Sequence, residues 1–167
     1  LFVTNLVHSN QLLLNDGRGR FEETTAARGV TSRDLSQTAL LFDADNDGDL
    51  DLLTGSRALN RFHANKGKGY FYEATEEAGI TRLTNAGGMA AFDLGEDGDL
   101  DVYLGQGEQH SALYDNHSNN RHWLEVKLRG DRGNRDAIGA RLWPYRDGHL
   151  GEPAHLLGMR EINGVSG

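Results

Sequence analysis

Two acidic nonapeptides lie fifty residues apart in this chain: Asp43 to Asp51 reads DADNDGDLD, and Asp93 to Asp101 reads DLGEDGDLD. Each holds five carboxylates in nine residues, folded around a Gly. Such a turn repels itself unless a cation sits among the charges. Oxygen ligands at alternate positions, with a Gly for the sharp bend, are the donor set of Ca2+. In the first loop Asp43, Asp45 and Asp47 stand at positions 1, 3 and 5. The backbone carbonyl of Asp49 falls at position 7 and the carboxylate of Asp51 at position 9. The second loop offers Asp93, Asp97, Asp99 and Asp101, but Gly95 replaces the position-3 Asp and Glu96 is out of phase. An EF-hand does not fit, because position 12 is Thr54 rather than a bidentate Glu and the flanks read as strands.

The repeat extends beyond the loops. At the same offset Asn15 matches Asn65, Gly17 Gly67, Gly19 Gly69, Phe21 Phe71, Glu23 Glu73, Thr25 Thr75, and Gly29-Val30 Gly79-Ile80. A fixed period near fifty marks stacked supersecondary units, propeller blades among them. Each unit reads as four short strands. They are about Gln11 to Leu14, Phe21 to Thr25, Gln37 to Phe42 and Leu50 to Gly55, then Arg61 to Ala64, Phe71 to Thr75, Gly88 to Phe92 and Leu100 to Gly105. NDGRG and NKGKG are hairpin turns, since Asn, Asp and Gly tolerate left-handed backbone. Ala26 to Val30 and Glu76 to Ile80 read as short turns. The opening LFVTN resembles DLLTGS after the first loop, which implies a preceding Asp loop upstream of Leu1 and an internal fragment.

After Gly105 the period fails. Ala112 to Asn116 starts a third unit, but HSNNRHWLEVKLRG follows in place of an N-x-G-x-G turn. The expected division is 1–117 for the repeats and 118–167 for a second β module with strands over Trp123 to Leu128, Ala140 to Trp143 and His155 to Ile162. That module reads as truncated at Gly167. The expected fold is therefore all-β: about two four-stranded propeller-type blades with Asp-rich Ca2+ loops, followed by a small β module.

The repeat motifs N-x-G-x-G-x-F, E-x-T-x-x-x-G-[VI] and D-x-D-x-D-G-x-L-D over Leu14 to Gly105 resemble FG-GAP/VCBS repeats, the blades of integrin α-chain propellers and many bacterial exported proteins. HWLEVKLRG and NRDAIGAR, within Asn120 to Gly167, resemble an ASPIC/UnbV module. The resemblance implies a Ca2+-binding propeller from an exported or cell-surface protein, similar in layout to cartilage acidic proteins, and implies no known reaction.

A net charge of −8 argues against nucleic acid and anionic membranes as partners, and much of it sits in the two Asp loops. No apolar run is long enough for membrane insertion. The chain has no Cys, hence no disulfide framework and no thiol chemistry. There is no G-x-S-x-G and no phosphate-binding Gly loop at a strand-to-helix junction. His110, His117 and His122 match no zinc pattern. Trp123 and Trp143 read as core or strand-pair aromatics, and Asn134-Arg135-Asp136 as a loop that orders its module. Arg129-Gly130-Asp131 is a three-residue match to an adhesion motif and carries little weight; Asn116-His117-Ser118 is a glycosylation sequon.

The expected function is a non-enzymatic, calcium-binding structural and interaction module, located extracellularly, on the cell surface or in the periplasm. Its expected partners are a protein or glycan ligand and further blades of the same chain. The alternative is part of an exported carbohydrate-active enzyme or carbohydrate-binding protein whose site lies in other blades.

Overall fold

The computed structural model describes residues 1–32, 34–80, 85–106, 111–118, 123–131 and 133–162. The chain divides into two compact units, Leu1–Arg121 and His122–Gly167. The first is a stack of antiparallel sheets. Strands β1 (Phe2–Val3), β2 (Gln11–Asn15) and β3 (Phe21–Glu23) form one sheet in that order. Strands β4 (Ser36–Phe42), β5 (Asp51–Ser56), β6 (Arg61–Asn65) and β7 (Phe71–Glu73) form a four-stranded meander. Strands β8 (Gly88–Phe92), β9 (Asp101–Gly105) and β10 (Ala112–Tyr114) form the third sheet. The sheets are open, with no closed barrel among the described residues.

The sheets are out of phase with the sequence repeat. The complete meander takes its first two strands from one fifty-residue unit and its last two from the next. Both the Asp loop and the N-x-G-x-G turn lie inside a sheet. The E-x-T-x-x-x-G-[VI] segment carries the chain from one sheet to the next.

That segment has a clear physical basis. Oγ1 of Thr25 accepts the Leu12 N–H at 2.8 Å, and Oγ1 of Thr75 accepts the Phe62 N–H at 2.9 Å. Oε1 of Glu23 and of Glu73 accepts the N–H of Thr25 and of Thr75. Hydrogen bonding to the threonine side chain first, and to its backbone N–H as well, holds both glutamates below the usual carboxylate range. Gly29 and Gly79 then take positive φ, and the next residue, Val30 or Ile80, packs into an apolar cluster. No helix forms in either turn.

Strand β5 is buried along its whole length. Leu52 packs with Leu12, Val30, Phe2 and Leu14, on the side of the first sheet. Leu53 packs with Phe42, Phe62, Val102 and Leu104, on the side of the third. A strand covered on both faces needs consecutive apolar residues rather than alternation, which is why DLLTG has two adjacent leucines.

In the second unit β11 (Arg141–Leu142) pairs with β12 (Arg160–Glu161), with a 3-10 turn over Pro153–His155. The strand expected over Trp123 to Leu128 does not form. Trp123 and Trp143 are about half exposed and are not core residues. Alternating apolar residues make a strand only where a partner edge exists, and the described residues offer none there. His155 belongs to the 3-10 turn, so the expected strand over His155 to Ile162 shrinks to its last part. Asn134 does order its loop: it exchanges bonds with both backbone groups of Ile138.

Candidate metal centre

Each Asp loop joins two neighbouring strands of one sheet, β4 to β5 and β8 to β9, and the two loops close by the same bonds. Both oxygens of Asp43 accept backbone N–H groups, from Asp47 and Gly48, each at 3.0 Å. Asp93 receives the N–H groups of Asp97 and Gly98 at 3.1 and 2.9 Å. Oδ1 of Asp47 accepts the Asp49 N–H, and Oδ1 of Asp97 that of Asp99. Asn46 and Glu96 occupy the same left-handed position, with φ of 56° and 54°, followed two residues on by Gly48 and Gly98. Glu96 thus fills a turn position rather than a displaced ligand position.

The position-9 aspartates are hubs. Asp51 accepts the N–H groups of Ala44 and Asn65, each at 2.8 Å. Asp101 accepts those of Leu94 and Asn116, each at 2.8 Å. Asn65 also donates from Nδ2 to the Leu50 carbonyl, and Asn116 to those of Leu100 and Ala44. Asn116 therefore plays the part of Asn65 in a third repeat, with Ser118 taking the place of Gly67 as the donor to the Asn side chain. Asn65 was visible in the sequence as a turn residue and Asn116 as the start of a third unit and a sequon, but neither as a partner of the Asp loops.

In the first loop, carboxylate oxygens of Asp43, Asp45 and Asp51 lie within 4.8 Å of one another. Asp43 and Asp51 are buried and Asp45 is exposed. Burial pushes the Asp51 carboxyl up to about 6, with Asp45 and Asp47 adding to the rise and its backbone bonds opposing it. Asp47 and Asp49 stand outside this trio. Asp47 is exposed and caps its own turn, and Asp49 points beside Gly67.

In the second loop no three carboxylates converge in this way among the described residues. Asp99 is nonetheless buried at 2% exposure, and its Oδ2 has no hydrogen-bond partner. Burial first, then the charges of Asp97, Asp101 and Asp93, hold its carboxyl above the usual range. A buried oxygen without a partner is costly. A trio of mutually repelling carboxylates and an orphaned buried oxygen, in turns that offer only oxygen donors, fit a hard divalent cation.

A cleft of about 590 Å3 opens beside the first loop. Asp45, Asp51, Glu77 and Asp115 are among its polar lining, and Phe62, Tyr72, Ile80 and Tyr114 among its apolar walls. Of the three histidines set aside from the sequence, His117 lies 3.6 Å from Asp115, while His110 and His122 fall outside the described residues. Among the described residues no helix is long and apolar enough to cross a membrane.

A search of the curated proteins gave no match. The family model described as FG-GAP-like repeat matches twice, over residues 1–54 and 43–104, which together span more than half of the chain. The chain belongs to the FG-GAP-like repeat family, whose repeats serve as structural and interaction modules.

Proposed function

We propose that this chain is a calcium-stiffened interaction module of an exported or cell-surface protein. The observation that carries this reading is the convergence of Asp43, Asp45 and Asp51 within 4.8 Å on one turn between two strands. A cation held there offsets the repulsion within the trio and ties β4 to β5 through the loop that joins them. The sequence pattern assigns Asp47 and the backbone carbonyl of Asp49 to the first candidate donor set beside this trio, and Asp93, Asp97, Asp99 and Asp101 to the second. Roughly millimolar Ca2+, as found outside cells, fills even weak sites of this kind. FG-GAP-like repeats are typical of extracellular proteins, which agrees with that location. The partner is a protein or glycan contacted by the loops or by the C-terminal unit. We read residues 118–167 as an ASPIC/UnbV-like module on the strength of HWLEVKLRG and NRDAIGAR.

The test is a pair of thermal melts, one in excess Ca2+ and one in chelator. A ligand that binds only the folded state at about 100 times its Kd adds about 2.7 kcal/mol. For a chain of this size that is a rise of several degrees in Tm. Superimposable melts, with the chelated sample verified metal-free, overturn the calcium reading.

A further inference from the structure

We propose a second metal site of different chemistry in the C-terminal unit, formed by His149, Glu152 and His155 and selective for a borderline transition metal of the Zn2+ class. One ligand atom from each of the three lies within 4.8 Å of the others. Nδ1 of His149 is 3.0 Å from Oε2 of Glu152, and Nε2 of His155 is 3.7 Å from the same oxygen. The two rings stack with centroids 3.8 Å apart and planes 19° from parallel, so one ring must turn out of the stack for both in-plane lone pairs to reach one ion. Two imidazole nitrogens and a carboxylate oxygen clustered this closely are a donor set for Zn2+, not for Ca2+.

The backbone builds this cluster. Three successive turns each close with a bond across three residues. The His149 N–H donates to the Arg146 carbonyl, Glu152 to His149, and His155 to Glu152, at 2.9 to 3.1 Å. Gly148 and Gly151 supply the left-handed third position of the first and second of these turns, at φ of 76° and 83°. A ligand at every third residue then falls on one edge. The ends of the segment are tied together: Arg146 donates to the His155 carbonyl at 3.0 Å, Leu157 to that of Pro144 at 2.9 Å, and Tyr145 bridges Leu156. The backbone that carries the three ligands is thus a closed loop.

A second observation gives such a site a purpose. No described residue of the unit His122–Gly167 is buried. The chain has no Cys, so no disulfide can hold this small unit. Units this short with little core are commonly fastened by a metal. Three protein ligands on a surface loop leave at least one position for water.

The test uses the whole 167-residue chain in excess Ca2+, so that hard-cation sites are filled, titrated with Zn2+ and followed by calorimetry and by 15N shifts of the histidine rings. One Zn2+ per chain is expected to bind here, moving the His149 and His155 ring signals together and leaving His8 and His63 unmoved. Loss of an outer partner of a ligating His typically costs about 10- to 100-fold in affinity. His149→Ala, His155→Ala and Glu152→Gln are each expected to weaken binding at least that much. The ring shifts are read on the unaltered chain, so a variant that fails to fold does not blunt the test. Ring signals unmoved at stoichiometric Zn2+, or equal affinity in the folded His149→Ala/His155→Ala chain, overturn the proposal.

Discussion

Asn46 donates from Nδ2 to Oδ1 of Asp99 at 2.8 Å, joining the first acidic loop to the second across fifty-three positions of sequence. The same amide group also reaches the Gly98 carbonyl at 3.1 Å. Asp99 is buried and its other oxygen has no partner among the described residues, so the Asn46 amide is a donor it depends on. The two loops are therefore joined directly by the Asn46 side chain.

Removing that donor leaves the Asp99 carboxylate more poorly satisfied. Hydrogen bonds to charged groups contribute about 1.5–3 kcal/mol. Asn46→Gly, which keeps the positive φ of 56°, is expected to destabilise the metal-free chain by about that amount. Asn46→Ala should cost about a further 1 kcal/mol, because alanine is strained in left-handed backbone. Denaturant midpoints measured in chelator check both values. Changes below 0.5 kcal/mol in both variants would mean the loops do not communicate through this side chain.

The asymmetry between the loops is open to repair. Gly95 stands at the position of Asp45 and is not among the glycines with positive φ. A Cβ added there meets Asp97 Cγ at 3.5 Å, an ordinary contact. Gly95→Asp should therefore fit, and a further anionic ligand should tighten the second loop's Ca2+ affinity about tenfold, or about 1.4 kcal/mol. Asp45→Ala should weaken the first loop comparably. Calorimetric titration of the unaltered chain should show two unequal sites, which Gly95→Asp brings closer together. Two equal sites in the unaltered chain contradict the assignment.

Asp51 gives the calcium response a pH dependence. Its folded value, about 6, lies above the ordinary 3.8. In chelator its favourable contribution is fully present below about 3.8 and is lost as pH rises through about 6, because the buried group must then ionise. A bound cation requires the ionised form, so calcium affinity runs the other way and falls as pH drops through about 6. The rise in Tm on adding Ca2+ should be large at pH 7 and much smaller at pH 5. An equal rise at both would show that Asp51 is not at the cation.

Much of the fold was legible because the repeat is written in residues with fixed mechanical duties. Asn15 and Asn65 close Asx turns onto Gly17 and Gly67, and Thr25 and Thr75 each hold a neighbouring strand. The phase of the sheets was not legible, since a periodic sequence carries no mark of where one blade ends. The Asp pattern located both loops, but not which carboxylates converge. Alternation along the chain does not reveal that Asp47 is turned to cap its own backbone, nor that Asp99, but not its repeat partner Asp49, is buried. The Asn46–Asp99 bond left no local signal, because each residue looks like ordinary turn chemistry alone. Nor did the His149, Glu152 and His155 grouping stand out, since it depends on two left-handed glycines stacking three turns.

Repeat partners need not be energetically equivalent, and Gly29 and Gly79 make this measurable. Both have positive φ, 80° and 66°. A Cβ on Gly79 meets nothing within 4 Å, whereas one on Gly29 overlaps the backbone carbonyl oxygen of Phe71. The turn carrying Gly29 is docked on β7. The Phe71 N–H donates to the Arg28 carbonyl at 2.9 Å, the Arg28 guanidinium donates to the Lys68 carbonyl at 2.7 Å, and it lies 4.1 Å over the Tyr70 ring. Gly79→Ala should cost only the left-handed strain, about 1–2 kcal/mol. Gly29→Ala carries the same strain and must also push the first sheet off the second, against backbone that cannot rotate away. It should therefore cost about 2 kcal/mol more, in the range of overpacked cores. Denaturant midpoints of the two variants, side by side, give the difference directly. Equal losses would mean that the close approach of the Gly29 turn to Phe71 is not kept in solution.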